Sequence, residues 1–109
     1  MKYIGEFAKV FGKTPRNLII EYFLEGEGID HGIVEIIEEK DMNRATAYNT
    51  IKELIKEGYI KPTRKAGGAQ LYKLNNDKEE VKILLKVFDI LLKNIVEEYK
   101  KKNTKKIYA

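Results

Sequence analysis

A chain of 109 residues has room for one hydrophobic core, so a single domain is expected. It contains no cysteine and one histidine, which excludes a disulfide framework, a thiolate metal site and thiol catalysis, and points to an intracellular, cytoplasmic protein. The formal net charge is +4, but residues 1–42 carry 5 basic and 9 acidic side chains, residues 43–76 carry 7 and 2, and residues 77–109 carry 9 and 6. A middle segment of +5 thus follows one of −4, as in a chain of which one face meets a polyanion.

The N-terminal stretch MKYIGEFAKVFGK mixes charge with apolar residues too often for a signal peptide, and no run of about 18 uncharged residues is present to span a membrane. Tyr3, Ile4, Phe7, Val10 and Phe11 recur at helical spacing, predicting a short amphipathic helix over residues 1–12 that ends at Gly12. Thr14-Pro15 then restarts a helix, since the hydroxyl can cap free amides and proline fits the first turn. Leu18, Ile19, Tyr22 and Phe23 continue it to the Gly26-Glu27-Gly28 break. Ile29-Asp30-His31 reads as a connector or a very short strand. Ile33, Val34, Ile36 and Ile37 form the apolar side of a short helix, with Glu35, Glu38 and Glu39 outside, that stops near Lys40-Asp41-Met42.

Asn43 is a good N-cap for a helix running to Gly58, in which Ala47, Ile51, Leu54 and Ile55 make one buried stripe. The period then changes. Tyr59–Lys65 and Ala69–Asn75 read as strands joined by Ala66-Gly67-Gly68, a turn that glycine permits by accepting positive φ. Asp77 with Glu80 three residues on looks like a capping box for a last helix to about Lys102. Residues 103–109 read as a frayed tail.

This order predicts a mainly α protein with a small β-hairpin: a winged helix-turn-helix over residues 14–76, an N-terminal helix before it and a long C-terminal helix, 77–102, after it. The stretch MNRATAYNTIKELIKEGYIKPTRKAGGAQLYKLN resembles the recognition helix and wing of prokaryotic, particularly archaeal, winged-helix transcriptional regulators of the broad MarR-like and ArsR-like type. A polar cap, Arg-Ala-Thr, an aromatic, an aliphatic spine and a Gly-Tyr-Ile strand carry the likeness. It implies a sequence-specific regulator of transcription, most simply a repressor, bound to double-stranded DNA.

The residues support that reading in their own right. At 100° per residue, the stripe of Ala47, Ile51, Leu54 and Ile55 leaves Ala45, Asn49, Lys52 and Lys56 opposite, flanked by Thr46, Tyr48 and Glu53. Asn49 can pair with adenine, Ala45 can approach a thymine methyl, and Lys52, Lys56 and Arg44 can reach phosphates or guanine in a major groove. Lys61, Arg64 and Lys65 on one strand, with Gln70 and Lys73 on the other, surround the Gly67-Gly68 tip and suit a neighbouring minor groove or backbone. Thr14 and Arg16 are candidate phosphate contacts at a helix start.

Between Val81 and Val96 the polar positions are Lys82, Lys86, Asp89, Lys93 and Asn94, so the last helix is apolar over most of its circumference. A single small domain covers an arc of only about 100°, which predicts a homodimer through Val81, Leu84, Leu85, Phe88, Leu91, Leu92 and Ile95, with Phe7 and Phe11 joining. No catalytic constellation, metal ligand set, cofactor motif or small-molecule site is legible. His31 reads as a cap or surface residue. Two alternatives remain open: a winged-helix module that binds another protein, and a DNA-binding architectural or replication factor of low sequence specificity.

Overall fold

The computed structural model describes residues 5–108, with side chains described from 5 to 102; Tyr3 and Ile4 lie outside the described residues. Among the described residues, five helices and three strands follow one another in the order α1 (Glu6–Phe11), α2 (Pro15–Glu25), β1 (His31–Gly32), α3 (Ile33–Lys40), α4 (Arg44–Lys56), β2 (Ile60–Ala66), β3 (Ala69–Leu74) and α5 (Glu79–Tyr108). The helix starts follow from their caps. Thr14 Oγ1 accepts from the Asn17 amide at 3.1 Å, and Asn43 Oδ1 accepts from the Thr46 amide at 3.1 Å, each satisfying a donor that the first turn leaves free.

The short helix α1 has no cap of its own. Its free amides are met from α2 instead: Glu21, fully buried, accepts from Gly5 N–H and Ala8 N–H through its two carboxylate oxygens, both at 2.8 Å. The Lys40 ammonium, also withdrawn from solvent, donates to Glu21 Oε1 at 2.5 Å and to Glu25 Oε1 at 3.3 Å. One buried charge pair therefore ties α1, α2 and the end of α3 together. The Asp41 C-cap, in the left-handed region at φ 52°, turns the chain away just after Lys40.

The stripe on α4 is as expected, with Ala47, Ile51 and Leu54 buried against Phe23, Leu24 and Ile36, and Ile55 at the edge. Thr50 joins it by donating its hydroxyl to Thr46 O at 2.7 Å. β2 and β3 form an antiparallel hairpin in which Ala66 faces Ala69. The two residues between them, Gly67 and Gly68, have φ of 56° and 80°, the doubly positive pattern of a turn that matches strand twist. The sheet gains a third strand: His31 pairs with Tyr72 and Gly32 with Leu71, giving the order β1-β3-β2. β3 is thus central, and Leu71, Tyr72 and Lys73 are half-buried.

Three expectations are corrected. The Asp77–Glu80 capping box does not form: Asn75 makes the turn, its side chain accepting from Asp77 N–H at 3.3 Å, and α5 begins at Glu79. The helix continues past Lys102 to Tyr108 where a frayed tail was expected. His31 is neither cap nor surface residue. Its side chain is 12% exposed, stacked edge-on to Tyr22 and Phe23, with Nε2 3.0 Å from Gly26 O. A carbonyl can only accept, so Nε2 carries the proton. A Cβ at Gly26 would collide with this ring.

A 30-residue helix is about 45 Å long, whereas the molecule measures 55 × 32 × 27 Å. From Leu92 to Lys102 every residue of α5 is exposed. Its first turns are covered: Val81 is fully buried, and Leu84 and Leu85 pack against the core. Further along, Leu92, Ile95, Val96 and Tyr99 are 43–65% exposed, as are Ile83 and Ile90 on the outer ridge, and Val10 and Phe11 of α1. Phe7 and Val81 were expected at a dimer contact and belong instead to the core of the single chain, because α1 folds under α5. Among the described residues, no helix is long and apolar enough to cross a membrane.

Candidate nucleic-acid interface

α3 and α4 are joined by Asp41, Met42 and Asn43, and the capped start of α4 sets the direction in which its outer face points. Arg44, Ala45, Tyr48, Asn49, Lys52, Glu53 and Lys56 are all exposed on that face, and Thr46 is half-buried. Every polar residue predicted there except Thr46 is exposed, Tyr48 to 39%. The Arg44 guanidinium lies over the Tyr48 ring at 5.6 Å, a cation–π contact that orders both side chains at the N-terminal end of the helix.

The wing stands beside this face. Lys61, Arg64, Lys65, Gly67 and Gly68 are exposed and Gln70 and Lys73 half-buried. Lys61 sits directly across the ladder from Lys73, a like-charge juxtaposition that is unfavourable unless an anion shares it. Among the described residues, Lys52, Lys56, Lys61, Lys65 and Lys73 have no ion-pair partner. A groove of about 560 Å³ separates wing from helix, lined by Ile33, Val34, Tyr48, Leu71 and Tyr72.

Four predicted contacts are otherwise engaged. Thr14 takes the Asn17 amide as a cap, so its helix start is closed. Arg16 grips Glu57 through both terminal nitrogens, at 2.6 and 3.2 Å, and lies 4.8 Å from the Tyr59 ring. That hydrogen-bonded pair holds the Glu57 carboxyl below its usual range and raises the guanidinium; it bolts the start of α2 to the end of α4. The Gln70 amide donates to Arg64 O and Leu71 O within the hairpin, at 3.2 and 3.0 Å. Arg64 is 68% exposed yet paired with Asp30, Nε donating to Oδ2 at 2.9 Å.

Sequence reasoning passed over Asp30, Glu21 and Lys40. Each acts on a partner 16 or more residues away, and no periodicity signals such pairings. Among the described residues, no group of three or more His, Asp or Glu side chains is arranged to hold a metal ion.

No protein-family model and no curated protein matches the chain. Solved structures do. The homodimeric winged helix-turn-helix DNA-binding domain Mb0332 of Mycobacterium bovis, described as a possible ArsR-family transcriptional regulator, aligns with a TM-score of 0.56 at 21% identity, over 84% of this chain and 80% of that one. F-93 of SSV1 aligns at 0.51 and 27% identity, over 85% and 93%. The DNA-binding protein Sso10a-2 of Sulfolobus solfataricus aligns at 0.51 and 15% identity, over 84% and 94%. These likenesses establish the winged helix-turn-helix fold, with α3 and α4 as its helix pair and β2–β3 as its wing.

Proposed function

We propose that the protein is a dimeric, sequence-specific double-stranded DNA-binding regulator of transcription, acting most simply as a repressor that occludes a promoter. The observation that carries this reading is the exposed face of α4. It presents Arg44, Ala45, Tyr48, Asn49, Lys52 and Lys56 with unpaired lysines at their heads, and a lysine-bearing wing stands alongside. Such a helix fits the major groove, about 12 Å wide. The wing is placed for the flanking backbone or minor groove. Two neighbours are described as DNA-binding and one as homodimeric, which supports the same reading.

Asn49 is the base reader in this scheme, because its amide can both donate to and accept from adenine, while the lysines supply charge without sequence preference. Asn49→Ala is expected to weaken binding to the preferred site by about 1–3 kcal/mol and to leave affinity for random duplex nearly intact. Equal losses on both would show that Asn49 reads no base.

The reading as a whole is tested by selecting sites from a random duplex library and titrating salt. A preferred site with two half-sites about 34–36 Å apart, or a multiple of that spacing, supports a dimeric regulator. Salt-sensitive binding without any preference supports an architectural factor instead. Absence of binding at low salt would remove DNA from the account.

A further inference from the structure

Asp30 ends the connection between α2 and β1, yet its carboxylate reaches past the central strand β3 to the far strand β2. Oδ2 accepts from the Thr63 hydroxyl and from Arg64 Nε, each at 2.9 Å, and Oδ1 faces Arg64 Nη2 at 3.4 Å. The β2–β3 register shifts between Pro62 and Lys65, so Thr63 and Arg64 are the residues of an irregularity that breaks the ladder. Such a bulge re-aims a side chain and leaves pairing incomplete. Here side chains complete it: the Thr63 hydroxyl also lies 3.3 Å from Leu71 O, and Gln70 donates to Arg64 O.

The guanidinium is a flat fork of five donors. Asp30 takes the edge made by Nε and Nη2, which leaves Nη1 and the outer side of Nη2 facing solvent on a side chain that is 68% exposed. We propose that Asp30 is a positioning residue for DNA recognition by the wing, holding Arg64 in one orientation so that its free edge meets an acceptor in the groove. The carboxylate has a second effect. Its negative charge offsets that of Arg64, so the arginine is a weaker magnet for phosphates met at random. Orientation gained and charge offset both act in favour of discrimination. This inference rests on the DNA-binding reading above.

The test uses the full chain with Asp30→Ala and Asp30→Asn, a duplex carrying the selected site, and a random-sequence duplex, each titrated across a salt series. Asn keeps an acceptor for Thr63, so the bulge stays held while the charge is lost. Affinity for the selected site is expected to fall about tenfold, the loss of one good bidentate contact, with affinity for random duplex unchanged or higher. The slope of log affinity against log salt on random duplex is expected to steepen by about 0.9, as the released Arg64 gains a phosphate. In an Arg64→Ala background, Asp30→Asn should change nothing. Equal losses on both duplexes with an unaltered slope would show that Asp30 merely stabilises the wing and would overturn the proposal, as would an effect of Asp30→Asn that persists without Arg64. Asp30 variants indistinguishable from a wild type that binds DNA would sink this inference alone. A wild type that binds no duplex at low salt would sink the DNA-binding reading and this inference with it.

Discussion

Lys40→Met is expected to remove about 3–5 kcal/mol of folding stability, the usual cost of leaving one member of a buried ion pair without the other. That is a large part of the roughly 5–15 kcal/mol that holds a small domain together. Glu21 and Lys40 are both withdrawn from solvent, and Glu21 also holds the Gly5 and Ala8 amides. Burial pushes the Glu21 carboxyl up, but the Lys40 ammonium and the two amides together outweigh it and hold the carboxyl below its usual range. A group lowered in this way adds stability that is complete above the unfolded carboxylate range and is lost as pH falls through the lowered folded value. The wild type should therefore weaken in acid. The penalty of Lys40→Met should shrink over the same interval, because a protonated Glu21 no longer leaves a buried charge unpaired. Urea unfolding of the wild type, Lys40→Met and Glu21→Gln/Lys40→Met, near neutral pH and again in acid, checks this. The double variant should be more stable than Lys40→Met at neutral pH; a penalty that ignores both pH and the second substitution would show that the two groups do not share one charge balance.

The consequence reaches the face of α4 proposed to meet DNA. Lys40 is the last residue of α3, and Asn43 caps α4 after the two intervening residues. The staple on Glu21 thus fixes where the turn between the two helices begins, and so the direction of α4. Loosening it should lower affinity for a preferred site even at temperatures where the variant remains folded.

What the sequence made legible was local. Asn43 as a cap, the Ala47–Ile51–Leu54 stripe and the Gly67-Gly68 turn are each written in residues within one turn or one hairpin of one another, where sterics and hydrogen bonding act without help from the rest of the chain. The exposed face of α4 followed from the stripe as its complement. Pairings across the fold were not legible. Glu21 is one of two acids on α2, and nothing in its neighbours marks it as a cap for α1 or a partner for Lys40. Arg16 and Arg64 read as free cations because Glu57 and Asp30, which hold them, stand 41 and 34 residues away. The third strand stayed open between a connector and a very short strand at residues 29–31, because two residues carry no period. α5 is the instructive intermediate case. Its composition led to the expectation of more apolar surface than one chain covers, but which apolar residues are covered depends on where the body ends, and that is a property of the whole packing.

That division decides how the dimer should be tested. Val81 lies in the core, and Leu84 and Leu85 pack against it, so charging them would unfold the chain and say nothing of association. Leu92 and Ile95 are 45% and 43% exposed and line a cleft of about 230 Å³ with Phe88 and Leu91. In a single chain their replacement should be nearly neutral. In a twofold dimer each occurs twice. If the partner covers the half of each side chain that one chain leaves bare, the four together contribute about 3–6 kcal/mol, on the scale of 1.5–3 kcal/mol for a fully buried aliphatic side chain. Leu92→Lys/Ile95→Lys is therefore expected to raise the dimer dissociation constant by about 10²–10⁴-fold, and by more once the buried ammonium groups are counted, with the melting of the monomer's helices preserved. Sedimentation equilibrium gives the mass and circular dichroism the fold. Binding to a two-half-site duplex should fall towards that of a single half-site in the same variant, since one protomer then engages at a time. A dimer that survives both substitutions would move the contact to the Ile83–Ile90 ridge, where the same pair of changes would then have to break it.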